Sequence, residues 1–184
     1  RYHLPYLKLR QDKFRVTRVV TPTLGKRPTE QAELEATGTI FTTDIEDIVT
    51  DDSLDLVVVV TPSQSHYQVT KQLLQAGKNV LVDKPMAASV EEAEELVKLA
   101  AQNNLFLMPF QSRRFDSDFL TVEKVIANGY LGRLTDLEVH MDHYRPLDGQ
   151  LEGAAIDGSL FGHGVHLIDQ VVSLFGAPQA VVYD

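Results

Sequence analysis

Leu54 to Val60, ending "LVVVV", narrows the folds open to this chain more than any other stretch. Its residues turn apolar side chains both ways along an extended backbone, so both faces need cover. That is the condition of a strand inside a parallel sheet with helices on either side. The pattern predicts a central strand here. Around it, short apolar runs alternate with amphipathic helical stretches, the order that parallel crossovers produce.

Phe14–Val20 reads as a first strand, 29–36 as a short helix stopped by Gly38, and Thr39–Thr42 as a second strand. Asp44 is placed to cap a brief helix carrying Ile45, Ile48 and Val49. After "TPSQS", a helix is predicted from His66 to Ala76 with Val69, Leu73 and Ala76 on one side and Gly77 as a left-handed stop. "NVLVD" follows as a buried strand. "SVEEAEELVKLAAQ" has Ser89 and Glu92 at capping-box spacing, with Val90, Ala93, Leu96, Val97 and Ala100 on one face. Leu105–Met108 is the next strand, and Pro109 is expected to end it because it has no N–H to donate.

The texture changes from Phe110. A helix over 119–128, an alternating strand over Leu134–Tyr144, a polar loop "RPLDGQLEGAAIDG", a helix over Val165–Phe175 and a last strand in "QAVVYD" are expected. The fold class read from this order is α/β: a doubly wound Rossmann-type parallel sheet, lacking its first strand and Gly-rich loop in this chain, over residues 1–109, then the start of an α+β domain over residues 110–184. The chain opens at Arg1 without methionine and closes on a strand-like run. It is therefore expected to be part of a longer protein.

Composition excludes some chemistries. With no cysteine there is no thiolate nucleophile, disulfide, Cys-type zinc site or iron–sulfur cluster. Acidic residues outnumber basic ones, 26 to 17, for a net charge of -9. Such a surface gathers no counterion-release gain on polyanions, which argues against nucleic acid and anionic membranes as partners. No apolar run approaches the length of a membrane span. A small-molecule substrate and a cytoplasmic setting are the expectation.

Ligands of doubly wound sheets bind beyond the carboxyl ends of the strands. Three distinctive segments follow strands here: "TPSQSH", "DKP" and "PFQSRRFD". Ser63 and Ser65 suit a ribose or phosphate at a helix start, or serve as ordinary caps. Lys84, between Asp83 and Pro85, is either a solvated strand-end lysine or a partly desolvated acid–base group aimed by a stiff, cis-capable turn. In "SRRFD" one arginine is available to a ligand while the other pairs with Asp116 or Asp118. His140, Asp142 and Tyr144 share one strand face in "HMDHYRP", and His143 and Arg145 the other. In "GHGVHLID", His163, His166 and Asp169 stand three apart, a spacing open to a metal site, although the flanking glycines set His163 before the helix. His166 is otherwise a proton carrier or a core histidine.

The run "VVVVTPSQSHYQVTKQLLQAGKNVLVDKP", with "SRRFD" and "GVHLIDQVVSLFG" in that order, resembles the Gfo/Idh/MocA family of NAD(P)-dependent oxidoreductases. The opening "RYHLPYLKLR" resembles the helix after that family's glycine-rich loop. The resemblance implies that Lys84 and His166 are catalytic. It implies that Thr61, Pro62, Ser63, His66, Asp83, Lys84, Gln111 and Arg113 line the cofactor, NAD or NADP; no metal is expected, a site at His163, His166 and Asp169 being the other reading. The implied activity is hydride transfer to or from a hydroxyl carbon of a sugar, polyol or related molecule, with homo-oligomerisation through a sheet opening at Leu134. A non-catalytic dinucleotide or sugar sensor is the alternative.

Three departures from the family pattern matter. Asp83 stands where the family has Glu. Gly162 stands where many members have an aspartate. No G-x-G-x-x-G occurs in the chain. After the strand ending near Val20, "TPTLGKR" offers Lys26 and Arg27 rather than an acid, which favours NADP.

Overall fold

A computed structural model describes residues 3–142, 158 and 160–182. Most of the polar loop between Arg145 and Gly158, with His143, Tyr144 and Arg145, lies outside the described residues. The chain forms two compact units, Arg1–Leu56 and Val57–Asp184.

In the first unit, helix α1 (His3–Leu9) is followed by strand β1 (Arg18–Val20), helix α2 (Pro28–Glu35), strand β2 (Ile40–Thr42) and helix α3 (Glu46–Val49). β1 and β2 pair in parallel, with Val19 opposite Phe41. β1 is shorter than the expected Phe14–Val20, since ladder bonds begin only where β2 runs alongside. Pro28 opens α2, where its missing N–H costs nothing. The Asp44 carboxylate accepts from the Glu46 amide at the start of α3, as its sequence position predicts. Asp51 accepts from Ser53 and Arg18, and these bonds hold its carboxyl well below the usual range.

The second unit carries the strands that position the site. β3 (Val57–Val59), β4 (Val80–Asp83) and β5 (Leu107–Phe110) form a parallel sheet in that order, with helix α4 (His66–Gln75) between β3 and β4 and helix α5 (Val90–Gln102) between β4 and β5. Registers Val59↔Val82 and Val82↔Pro109 bring the carboxyl ends of all three strands to one edge.

Burial tracks neighbours rather than local hydrophobicity. β4 is flanked on both sides, and Val80 and Val82 are fully buried. β3 pairs only with β4 among the described residues. It is therefore an edge of this sheet rather than the expected central strand, and Val60 is 50% exposed. Pro109 does not end β5, because the strand runs on through Phe110. An edge strand tolerates a missing donor.

α4 buries His66, Thr70, Leu73 and Leu74 and stops at Gly77, whose φ of 75° is the left-handed value expected. α5 begins at Ser89, whose hydroxyl accepts from the Glu92 amide. The Glu92 carboxylate turns back to the Ala88 amide, one residue earlier than a capping box places it. Leu96 and Ala100 carry the burial of α5, while Val90 and Val97, expected on the same face, lie exposed.

Beyond β5, a 3₁₀ turn (Ser112–Phe115) leads to helix α6 (Ser117–Ala127). A π-helical turn (Leu160–Gly164) then runs into helix α7 (Val165–Phe175), which Gly176 ends. The alternating strand expected from Leu134 is absent over the described residues 134–142, which lack regular structure and are largely exposed. The last strand is likewise absent over the described part of "QAVVYD", where Val181 and Val182 are exposed. An alternating pattern becomes a strand only against a partner ladder, and neither segment has one among the described residues.

Candidate active site at the carboxyl edge of the sheet

The segments after β4 and β5 meet α7 and its π-helical turn, and the segment after β3 reaches the turn after β4 through His66. Lys84 leaves the end of β4 through a Lys84–Pro85 peptide that is cis, and the Lys84 amide donates to Asp83 Oδ1 at 2.8 Å. Its side chain is half-buried, and Nζ donates to the main-chain carbonyl of Gly162 at 2.6 Å. His166, on the first turn of α7, is buried, and its Nδ1 lies 3.2 Å from Gln111 Oε1. With the amide oxygen turned to the ring, the proton sits on Nδ1 and Nε2 keeps its lone pair.

Both groups are made less basic than usual. Burial is the main cause for Lys84; Arg113 adds to it, and the Asp83 carboxylate opposes it. Burial also leads for His166, followed by the positive charges of Lys84 and Arg113, with Asp169 and Asp83 opposing. His166 therefore feels the charge of Lys84.

α7 is fixed against the turn after β5 by polar contacts. Arg114 forms a two-bond fork with Asp169, 2.7 Å on each arm, and Gln170 donates to the Arg113 carbonyl at 3.3 Å. Arg113 pairs with Asp116 at 2.8 Å, so both arginines of "SRRFD" are engaged, the second by an aspartate outside its own segment. Asp169 is thus committed to Arg114. His163, His166 and Asp169 form no metal-holding group, and no group of three candidate ligands occurs among the described residues.

The turn after β3 differs from its expected form. Thr61 and Pro62 are exposed and Ser63 is half-buried at the start of a 3₁₀ turn (Ser63–Ser65). Neither Ser63 nor Ser65 caps α4; the Ser65 hydroxyl bonds with Thr61 Oγ1 and the Pro62 carbonyl, each at 2.8 Å. His66, expected to line the cofactor, is instead 2% exposed. Its Nδ1 lies 2.7 Å from the Pro85 carbonyl and its Nε2 2.8 Å from the Thr61 carbonyl. Both ring nitrogens face backbone carbonyls.

The structure thus brings together Asp83, Lys84, Gln111, Arg113 and His166, while Thr61, Pro62 and Ser63 join them only through the backbone that His66 touches. Sequence reading missed the Gly162 and Pro85 carbonyls, which carry no residue-type signal. It named Asp169 only as a metal ligand, although its spacing of three from His166 already put both on one helix face.

Residues 1–111 match the family model described as an oxidoreductase family with an NAD-binding Rossmann fold, and residues 119–184 match that of the GFO/IDH/MocA C-terminal domain. The chain belongs to the Gfo/Idh/MocA oxidoreductase family. It is 43% identical to the Escherichia coli oxidoreductase YhhX over 184 residues, and 35% identical to the Bacillus subtilis scyllo-inositol 2-dehydrogenase (NADP(+)) IolW. These alignments cover 100% and 98% of this chain but 52% and 49% of those proteins, so the chain spans about half their length. The crystal structure of a probable oxidoreductase yhhX superposes with a TM-score of 0.88 at 42% identity, over 97% of this chain and 51% of that one. An oxidoreductase from Bacillus cereus gives 0.89 at 38%, over 97% and 50%. The Rossmann-type fold class and the family read from the motifs agree with these matches. No helix among the described residues is long and apolar enough to cross a membrane.

Proposed function

We propose that the protein transfers a hydride between a nicotinamide cofactor and a hydroxyl carbon of a sugar, polyol or related small molecule, with Lys84 and His166 as its catalytic residues. The observation that carries this is the convergence of Lys84 and His166 at the carboxyl edge of the sheet, both made less basic by burial. The residues present suit the nicotinamide end of such a cofactor. Exposed Thr61 and Pro62 border the strand edge, and Lys84 and Gln111 stand beside them on the next two strand ends. The pyrophosphate-binding G-x-G-x-x-G is not among this chain's residues.

A nicotinamide, when bound, supplies the hydride acceptor or donor. The chain's own residues handle the proton. As a hydroxyl carbon is oxidised, its oxygen must release a proton, and a base whose pKa lies near the working pH does this best. Lowered basicity moves the Lys84 amine towards that range, and the lone pair on His166 Nε2 is free to accept. Gln111 holds the ring's other nitrogen, and the Gly162 carbonyl holds the amine without adding a negative charge that would raise its pKa. Lys26 and Arg27, with no acid in the segment after β1, favour NADP; the name of the relative IolW supports the same choice. The reading also includes a dinucleotide-binding domain over 1–109, a second domain over 110–184, a cytoplasmic setting, and a homo-oligomer contact involving the segment from Leu134.

The Gly162 departure favours a second reading, a sensor that binds dinucleotide without turnover. The intact protein, mixed with NADP or NAD and a panel of polyols and sugars, is expected to generate the near-ultraviolet absorbance of reduced nicotinamide. Measurable dinucleotide binding with no reduction across the panel would support the sensor instead.

A further inference from the structure

His66 is the most enclosed polar ring among the described residues, and the hydride-transfer reading gives it no task. It begins α4, directly after the turn that leaves β3. One nitrogen meets the Thr61 carbonyl in that turn, and the other meets the Pro85 carbonyl in the turn that leaves β4. β3 and β4 are paired neighbours. The ring therefore bridges two adjacent strand-end turns, touching the second at the residue that follows Lys84. Carbonyl oxygens only accept, so the neutral ring donates to one of them while its other nitrogen lies against the second, and only the imidazolium donates to both; an apolar core residue does neither. Pro85 is itself buried and has no N–H through which its backbone could be tied down.

We propose that His66 is a positioning residue: spanning the two turns and donating from Nδ1 to the Pro85 carbonyl, it fixes the backbone from which Lys84 projects, and so holds the lysine amine at the Gly162 carbonyl. The inference rests on the reading above for what Lys84 does, but not for where Lys84 is held. A displacement of about 1 Å at a reacting group costs on the order of 10²-fold in rate, so a bridge that touches no ligand still bears on turnover.

The two contacts can be separated. Asparagine places its amide near the position of Nδ1, so His66→Asn retains the Pro85 contact. Glutamine reaches the position of Nε2, so His66→Gln retains the Thr61 contact. His66→Phe keeps the ring shape and loses both. The intact protein and the three variants are treated with an amine-acylating ester, and the labelling rate at Lys84 is read by peptide mass spectrometry. Labelling is expected to rise several-fold in His66→Phe and His66→Gln and to stay near the unmodified rate in His66→Asn. Turnover should follow the same order. In His66→Phe, kcat should fall by about 10²-fold while KM for the dinucleotide changes by less than about threefold.

If His66→Phe fails to fold, the Asn and Gln pair still decides the matter, since each keeps one polar contact. Equal labelling of Lys84 in every folded variant, or equal kcat losses in the Asn and Gln variants, overturns the proposal. If the unmodified protein reduces no nicotinamide while labelling follows the expected order, the bridge stands and the hydride-transfer reading falls.

Discussion

Val57–Val59 and residues 134–142 are both alternately or continuously apolar, yet one lies in a ladder and the other lies in the open. β3 has β4 beside it and α4 following it, and Val59 is 3% exposed. Leu137 and Val139, in a segment with comparable side chains, are 42% and 37% exposed and pair with no strand among the described residues. A strand is a property of a pair, because its backbone donors and acceptors must be met from outside the segment. The difference also separates two kinds of residue. Leu73, Leu74, Leu96, Val80 and Val82 stabilise this unit by burial, whereas the apolar residues of 134–142 add little until something covers them.

Truncation in each region should break this contrast if it is wrong. Leu96→Ala removes a fully buried side chain from α5, and its expected cost is about 2–5 kcal/mol, read from the urea midpoint. Leu137→Ala should stay within about 0.5 kcal/mol in the same assay if its exposure persists in the intact protein. A cost for Leu137→Ala approaching that of Leu96→Ala would mean that a partner strand, from the rest of the protein or a second copy, covers the segment.

A smaller effect tests α7, which sits with the ordered region through Arg114 and Asp169. Burial, then the charges of Lys84 and Arg113, holds His166 below the ordinary histidine value of about 6.5. As pH falls, the unfolded ring takes up its proton before the folded one does. The stability linked to His166 is therefore fully present above that value and is lost as pH falls through it towards the lowered folded value. Thermal melting across this window should show the unmodified protein losing more stability than His166→Gln. Parallel losses would mean that the ring is not shielded as described.

The crossovers of the second unit were legible in sequence because hydrophobic period, Gly77 and Ser89 all pointed the same way. Which strand would be central was not, because that depends on neighbours: β3 has the strongest run, but β4 has two partners. Lys84 and His166 stood out by motif and by their place after strands or at a helix start. Gln111, the partner of His166, was named with them, but the partner of Lys84 was not, since the Gly162 carbonyl is a main-chain group that any residue supplies. His66 shows the limit most clearly. Its motif position suggested contact with a ligand, and the folded chain turns both its nitrogens to backbone.

The central claim is that the Lys84 amine, half-buried and held at Gly162, moves the proton that accompanies hydride transfer. The most direct measurement is single-turnover hydride transfer in the intact protein and in Lys84→Met, with dinucleotide affinity measured in parallel. The account predicts a rate lower by about 10²–10⁴-fold with binding retained. An unchanged rate in Lys84→Met would contradict it.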